Sequence, residues 1–185
     1  MPAIDKSRIL IIATNGFEQS ELEKPLEQLK GKGARVEVAA PDSGKIKAWK
    51  GGDWGNSVAV DRTLDDVKVG DYDALVIPGG VMNPDKLRTS ERALAIVRGF
   101  LDAGKVVAAI CHGPWLLVET GAVKGREVTS YPSIRTDVIN AGGRWVDKPV
   151  ATDQGIITSR NPGDIDAFVA KIVEEIQEGL HQRAA

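Results

Sequence analysis

The chain has 185 residues, 27% of them charged, with 24 Lys and Arg set against 26 Asp and Glu for a formal net charge of -2. A balance so near zero creates no field for nucleic acid or an anionic membrane, so the expected substrate is neutral or small. One Cys excludes an internal disulfide, two distant His beside it offer no zinc-type ligand cluster, and no apolar run approaches membrane-spanning length. Residues 1–8 lack a signal-peptide core. The expectation is one cytoplasmic α/β domain over residues 1–185, with no metal and no cofactor.

Residues 8–13, apolar from Ile9 to Ala13 and followed by the turn at Asn15-Gly16-Phe17, have the pattern of a short strand buried on both faces. Residues 18–30 put Leu22, Leu26 and Leu29 on one helical stripe closed by Gly31 and Gly33, with Pro25 expected to kink or loosen the first turns. Residues 36–40 read as a second strand. Residues 45–63 are polar and glycine-rich, an excursion with short strands around Ile46 and over 58–60, and residues 64–69 read as a helical turn. A third buried strand, 74–77, runs into Pro78-Gly79-Gly80, and a helical region follows from Asn83-Pro84-Asp85 to Gly104.

The next strand, 106–110, meets Cys111-His112-Gly113-Pro114 and then an apolar run of helical character. Proline suits the first turn of a helix, where its missing N–H costs nothing. Strand, sharp turn and helix with a thiol and an imidazole at the turn make a nucleophile elbow. Beyond it, 127–129 reads as a strand, 132–140 as a helix, and 150–152 with 156–159 as a hairpin about Asp153-Gln154-Gly155. Residues 162–180 are an amphipathic helix through Ile165, Phe168, Ile172 and Ile176. This alternation predicts a mostly parallel sheet with helices on both faces. In such sheets ligands bind beyond the carboxyl ends of the strands. Asn15–Glu18, Gly79-Gly80, Cys111-His112 and 159–162 all fall at such ends.

Cys111 is the candidate nucleophile, since a thiolate at a helix N-terminus is stabilised by oriented amides and a neighbouring imidazolium lowers its pKa. The alternative is a buried cysteine acting as a small hydrophobe. His112 is the candidate base, or otherwise a helix cap. Gly79, Gly80 and the amide of His112 can form an oxyanion hole, although a double glycine also simply ends a strand. Glu18, beside apolar Phe17, would hold a proton if buried near the thiol and donate to sulfur; otherwise it is an ordinary first-turn acid. Asp85 has the same ordinary reading, or orients His112. His181 falls in a polar tail and is expected to be solvated.

These residues resemble a known family. Residues 108–114, Ala-Ala-Ile-Cys-His-Gly-Pro, look like the active-site signature of the intracellular protease I (PfpI) family. That family lies within the ThiJ/PfpI group of Parkinsonism-associated deglycases and class I glutamine amidotransferase-like proteins. Gly16-Phe17-Glu18, Ile77-Pro78-Gly79-Gly80 with Pro84-Asp85, and residues 158–162 fit the same pattern in order along nearly the whole chain. The resemblance implies a three-layer flavodoxin-like sandwich, with Cys111 as nucleophile in a strained elbow and Glu18 bonded to its thiol. It further implies an oxyanion site at the amides of Gly80 and His112. Members form homodimers or larger rings in which a neighbouring subunit supplies the acid behind the histidine; here that position is Asp85, where many members carry Glu. Residues 159–185 hold no His-x-Glu pair, which counts against amidotransferase activity.

The implied activity is stress protection by thiolate attack on the carbonyl of a dicarbonyl or of a glycated protein or peptide, of deglycase or glyoxalase type. A cysteine peptidase using the same Cys-His-acid site is the alternative. A redox sensor or holdase, in which an accessible thiol is oxidised without turnover, is a second one from another class.

Overall fold

The computed structural model describes residues 3–183. Met1, Pro2, Ala184 and Ala185, which belong to the N-terminal reading and to the 1–185 domain span, lie outside the described residues. In chain order the strands are β1 (Arg8–Ile12), β2 (Phe17–Glu18), β3 (Arg35–Ala40), β4 (Lys45–Lys50), β5 (Asp53–Ala59), β6 (Arg62–Thr63), β7 (Ala74–Ile77), β8 (Val106–Ile110), β9 (Glu127–Val128), β10 (Arg144–Trp145), β11 (Val150–Asp153) and β12 (Ile156–Ser159). The helices are α1 (Gln19–Gly31), α2 (Met82–Leu87), α3 (Glu91–Asp102), α4 (Trp115–Glu119), α5 (Arg135–Asn140) and α6 (Ile165–Glu178).

Seven strands form the main sheet in the order β11-β12-β8-β7-β1-β3-β6, with every neighbouring pair parallel except the β11–β12 hairpin. The apolar runs explain the arrangement. Successive side chains of a strand face opposite ways, so Ile9 and Ile11 of β1 join one core with Leu22 of α1 and Phe168 and Ile172 of α6. Leu10 and Ile12 join the other, with Val97 and Phe100 of α3 and Leu116 and Leu117 of α4. A sheet apolar on both faces needs a helical layer on each, and the result is three layers.

The expected strands and helices recur with some differences: the helical region 83–104 is two helices, α2 and α3, and Phe17–Glu18 is strand β2 rather than the end of a turn and the start of a helix. Helix α1 runs unbroken through Pro25. The polar excursion is a regular hairpin, β4–β5, turned by Gly51 and Gly52 and paired through β4 with β2 as a separate three-stranded sheet. Strands β9 and β10 pair with each other rather than entering the main sheet. Gly16 N–H donates to Lys47 O at 2.8 Å and Lys47 N–H to Asn15 Oδ1 at 2.7 Å, which fixes the hairpin against the outgoing end of β1. Among the described residues no helix is long and apolar enough to cross a membrane.

Candidate active site

Strand β8 delivers Cys111 to the carboxyl edge of the sheet, between the ends of β7 and β12. The chain turns there through a left-handed residue: Cys111 has φ 64°, a conformation that costs a non-glycine residue roughly 1–3 kcal/mol. Backbone bonds hold it. Cys111 N–H donates to Ser159 O at 3.0 Å, Tyr131 N–H donates to Cys111 O at 2.8 Å, and Gly113 N–H closes back on Ile110 O at 2.8 Å. A side chain at position 113 would bring a Cβ within 2.7 Å of Ile77 O, so the turn needs glycine. Only then does α4 begin.

The acid beside the sulfur is Glu21, not Glu18. Glu18 is the N-cap of α1: its Oε2 accepts from Glu21 N–H at 2.9 Å and from the Ser20 hydroxyl at 2.5 Å. A residue so engaged faces its own helix, which corrects the expectation that Glu18 bonds the thiol. Glu21, one turn later, points into the sheet edge and is fully buried. Its Oε2 accepts from Gly79 N–H at 2.8 Å, while Oε1 has no nitrogen or oxygen partner and the carboxyl faces the Cys111 thiol. Burial and the nearby Glu18 charge push Glu21 up to about 8, against the opposing pull of the Gly79 amide. The proton-holding acid foreseen beside sulfur exists, three residues further along.

The two glycines have different parts. Gly79 spends its amide on Glu21 and is not free for an oxyanion, which corrects its predicted role; a Cβ there would lie 2.5 Å from both Cys111 Cβ and Glu21 Oε2. Gly80 has φ 77°, and its amide and that of His112 are directed at the Cys111 sulfur, favouring the thiolate. Asn83 ties the loop to β1, with its amide donating to Pro78 O at 2.9 Å and its Oδ1 accepting from Thr14 N–H at 2.7 Å.

His112 does reach the thiol: Nδ1 lies 3.2 Å from Cys111 Sγ. Its Nε2 lies 2.9 Å from Ser133 Oγ, its ring stacks on Tyr131 at 4.9 Å and meets the edge of Trp115 at 5.2 Å. Burial lowers its pKa, so the imidazole is neutral at neutral pH. Asp85 is exposed on α2, and among the described residues no hydrogen bond or ion pair joins it to His112; the group behind the imidazole is Ser133. Arg160, at the end of β12, is held by Asp164 and Asp147. His181 is 12% exposed at its side chain rather than solvated, and it lies at the opposite end of the sheet.

Electrostatics also reverse one expectation. The Cys111 thiol is pushed up, first by burial and then by the Glu21 carboxyl, and the Gly80 and His112 amides only partly oppose this. A helix of five residues behind a buried sulfur does not outweigh desolvation. Site and cavity do not coincide either. A cavity of 860 Å³ lies beside Gly104 and Ile156, where β8 and β12 begin, far from their outgoing ends. The chemistry on hand is a neutral imidazole against a thiol, a carboxylic acid beside the sulfur and two directed amides. These are the components for adding a thiol across a carbonyl.

A family model described as the DJ-1/PfpI family matches residues 7–175. Deglycase PfpI of Pyrococcus furiosus is 43% identical over 167 residues, covering 90% of this chain and 98% of that protein. Protein/nucleic acid deglycase 2 of Escherichia coli is 38% identical over 162 residues, covering 87% and 92%. The crystal structure of Drosophila melanogaster DJ-1beta superposes with a TM-score of 0.82 at 30% identity, covering 93% of this chain and 94% of that one.

Proposed function

The chain belongs to the DJ-1/PfpI family, and on that premise we propose that it is a cysteine-dependent deglycase that acts on dicarbonyl compounds and on their early adducts with proteins and peptides. Relatives 38–43% identical carry deglycase names. The observation that carries the reading is Cys111 Sγ standing 3.2 Å from a neutral imidazole nitrogen, beside the Glu21 carboxyl.

The addition step follows from these positions. The Cys111 S–H proton passes to His112 Nδ1 as sulfur bonds the carbonyl carbon. The carbonyl electron pair becomes an alkoxide facing the Gly80 and His112 amides, and His112 returns the proton to it, leaving a hemithioacetal. With a 2-oxoaldehyde, moving hydrogen from the former aldehyde carbon to the adjacent ketone carbon oxidises one and reduces the other. The product is a thioester, which water cleaves to a 2-hydroxy acid and free thiol. Glu21, neutral below about pH 8, keeps a second negative charge away from the sulfur during attack.

The enzyme works in the cytoplasm, where thiols stay reduced, as a homodimer or larger ring. Support for assembly is that two large apolar side chains near the site, Val81 beside Gly80 and Tyr131 stacked on His112, are exposed, as is Asp85 on α2. Asp85 of a neighbouring copy would then approach His112 from outside. Methylglyoxal consumption and amine release from a methylglyoxal-treated peptide, measured for wild type and Cys111→Ala, test the reading. Both should vanish in the variant, and equal rates would sink it. Stable Cys111 sulfinate with no turnover on any carbonyl would instead make the protein a redox sensor.

A further inference from the structure

The far end of the sheet holds a second group of chemical side chains that the deglycase reading does not use. Helix α6 ends on Glu175 and Glu178, three residues apart and so on one face. Gly179, at φ 97°, then turns the chain back. His181 returns over that face: its amide donates to Gly104 O at 2.8 Å, and its ring fills a slot so close to Gly155 that a Cβ there would meet it at 2.3 Å. One donor atom from each of Glu175, Glu178 and His181 lies within 4.8 Å of the other two.

Glu175 is the decisive member. It is only 6% exposed, and among the described residues its carboxylate accepts no hydrogen bond. Its nearest polar partner is His181 Nε2 at 3.5 Å, too long to satisfy a buried carboxylate, and that nitrogen also lies 3.3 Å from the Glu175 carbonyl oxygen, a contact a cation would replace. Lys171, one turn earlier, is held instead by Glu174 at 2.8 Å. A carboxylate this buried, with only the His181 ring beside it, carries a desolvation cost that a cation would offset. The last-turn carbonyls of α6 add the negative end of the helix dipole at the same point.

We propose that Glu175, Glu178 and His181 form a site for a divalent transition-metal cation of zinc type, with water completing the shell. One imidazole nitrogen and two carboxylates suit zinc, whereas magnesium and calcium favour oxygen alone. Ligand atoms bound at about 2.0–2.2 Å stand roughly 3–3.5 Å apart, so the group closes by a small movement of exposed Glu178. Cavities of 860 and 410 Å³, lined by His181 and Glu178 respectively, give entry from either side. The ion would fasten a tail already tied down by Arg183, whose guanidinium donates to Leu101 O at 2.8 Å, Lys105 O at 2.6 Å and Gln154 O at 2.9 Å. Counting only Cys and His in the sequence misses such a site, because carboxylates supply two of the three donors.

The test is zinc titration by calorimetry, with thermal unfolding, on the full chain carrying Cys111→Ser so that the thiol is not a rival ligand. One zinc per chain should bind and raise Tm. His181→Ala should abolish binding, and Glu178→Gln, at an exposed position where folding is secure, should weaken it at least tenfold. Absence of zinc binding, or binding by Glu178→Gln and His181→Ala as tight as by their parent, would overturn the proposal. Should His181→Ala fail to fold, Glu178→Gln alone decides.

Discussion

Ser133 Oγ stands 2.9 Å from His112 Nε2, and the opposite ring nitrogen, Nδ1, faces Cys111 Sγ at 3.2 Å. When the hydroxyl accepts from Nε2–H, the proton stays on that nitrogen and the Nδ1 lone pair is left for the thiol. In that arrangement Ser133 is a positioning residue, working through His112 rather than on substrate. Ser133→Ala removes one neutral hydrogen bond, about 1 kcal/mol, or about fivefold in rate. The fall should lie in kcat with KM unchanged, and the acid limb of the pH profile should move lower, because the imidazolium loses an acceptor. Ser133→Thr should restore both. An unaltered profile in the alanine variant would show that the hydroxyl is a bystander.

Gly79 is the second position where geometry allows little. A Cβ at 2.5 Å from both Cys111 Cβ and Glu21 Oε2 must displace the nucleophile, the acid or both. Gly79→Ala should destabilise the fold by roughly 1–3 kcal/mol, as overpacking does, and lower turnover further by moving the sulfur. Urea unfolding with turnover on the same preparation checks this; wild-type behaviour in both would mean that the loop shifts freely.

Apolar runs made the sheet legible, because 9–12, 74–77 and 106–110 are apolar throughout and buried on both faces. The elbow was legible too, from Cys111 to Pro114. What the pattern could not tell apart was Glu18 from Glu21. Both lie at the start of one helix, one turn apart, and the choice rests on Glu18 capping the helix it begins. That spacing of two acids was the available signal, since a cap residue cannot also reach across the sheet edge. Ser133 and Tyr131 gave no signal at all. They reach His112 through a loop anchored by Tyr131 N–H on Cys111 O, a contact twenty positions apart with no periodicity behind it.

Glu21 also makes stability depend on pH in a stated direction. The unfolded acid ionises near the ordinary value of 4.5 and the folded one near about 8. Between these values the unfolded chain has shed a proton that the folded chain keeps, so stability falls as pH rises through this interval and levels off above it. The burial cost of the charge is on the order of a few kcal/mol. Glu21→Gln keeps the shape and removes the titration, so its stability should decline less across the same range. Urea midpoints at several pH values compare the two, and parallel declines would remove Glu21 as the cause.

The same carboxyl bears on the reactivity of the thiol. Burial and Glu21 both push Cys111 above the ordinary 9.0, so iodoacetamide should react slowly at neutral pH and faster as the solution becomes alkaline, without a plateau in mild acid. Once Glu21 ionises above about 8, its charge opposes the thiolate directly. Glu21→Gln lifts that opposition, and its Cys111 should alkylate faster than wild type at alkaline pH, even while carbonyl turnover falls for want of the acid. This opposite movement of two rates on one sulfur is a result that general loosening of the site does not produce, because loosening would leave the pH dependence of the ratio flat. Alkylation that plateaus near pH 5–6 in the wild type would show a thiolate already formed in the resting enzyme, and would assign the neutralising role to His112 instead of Glu21.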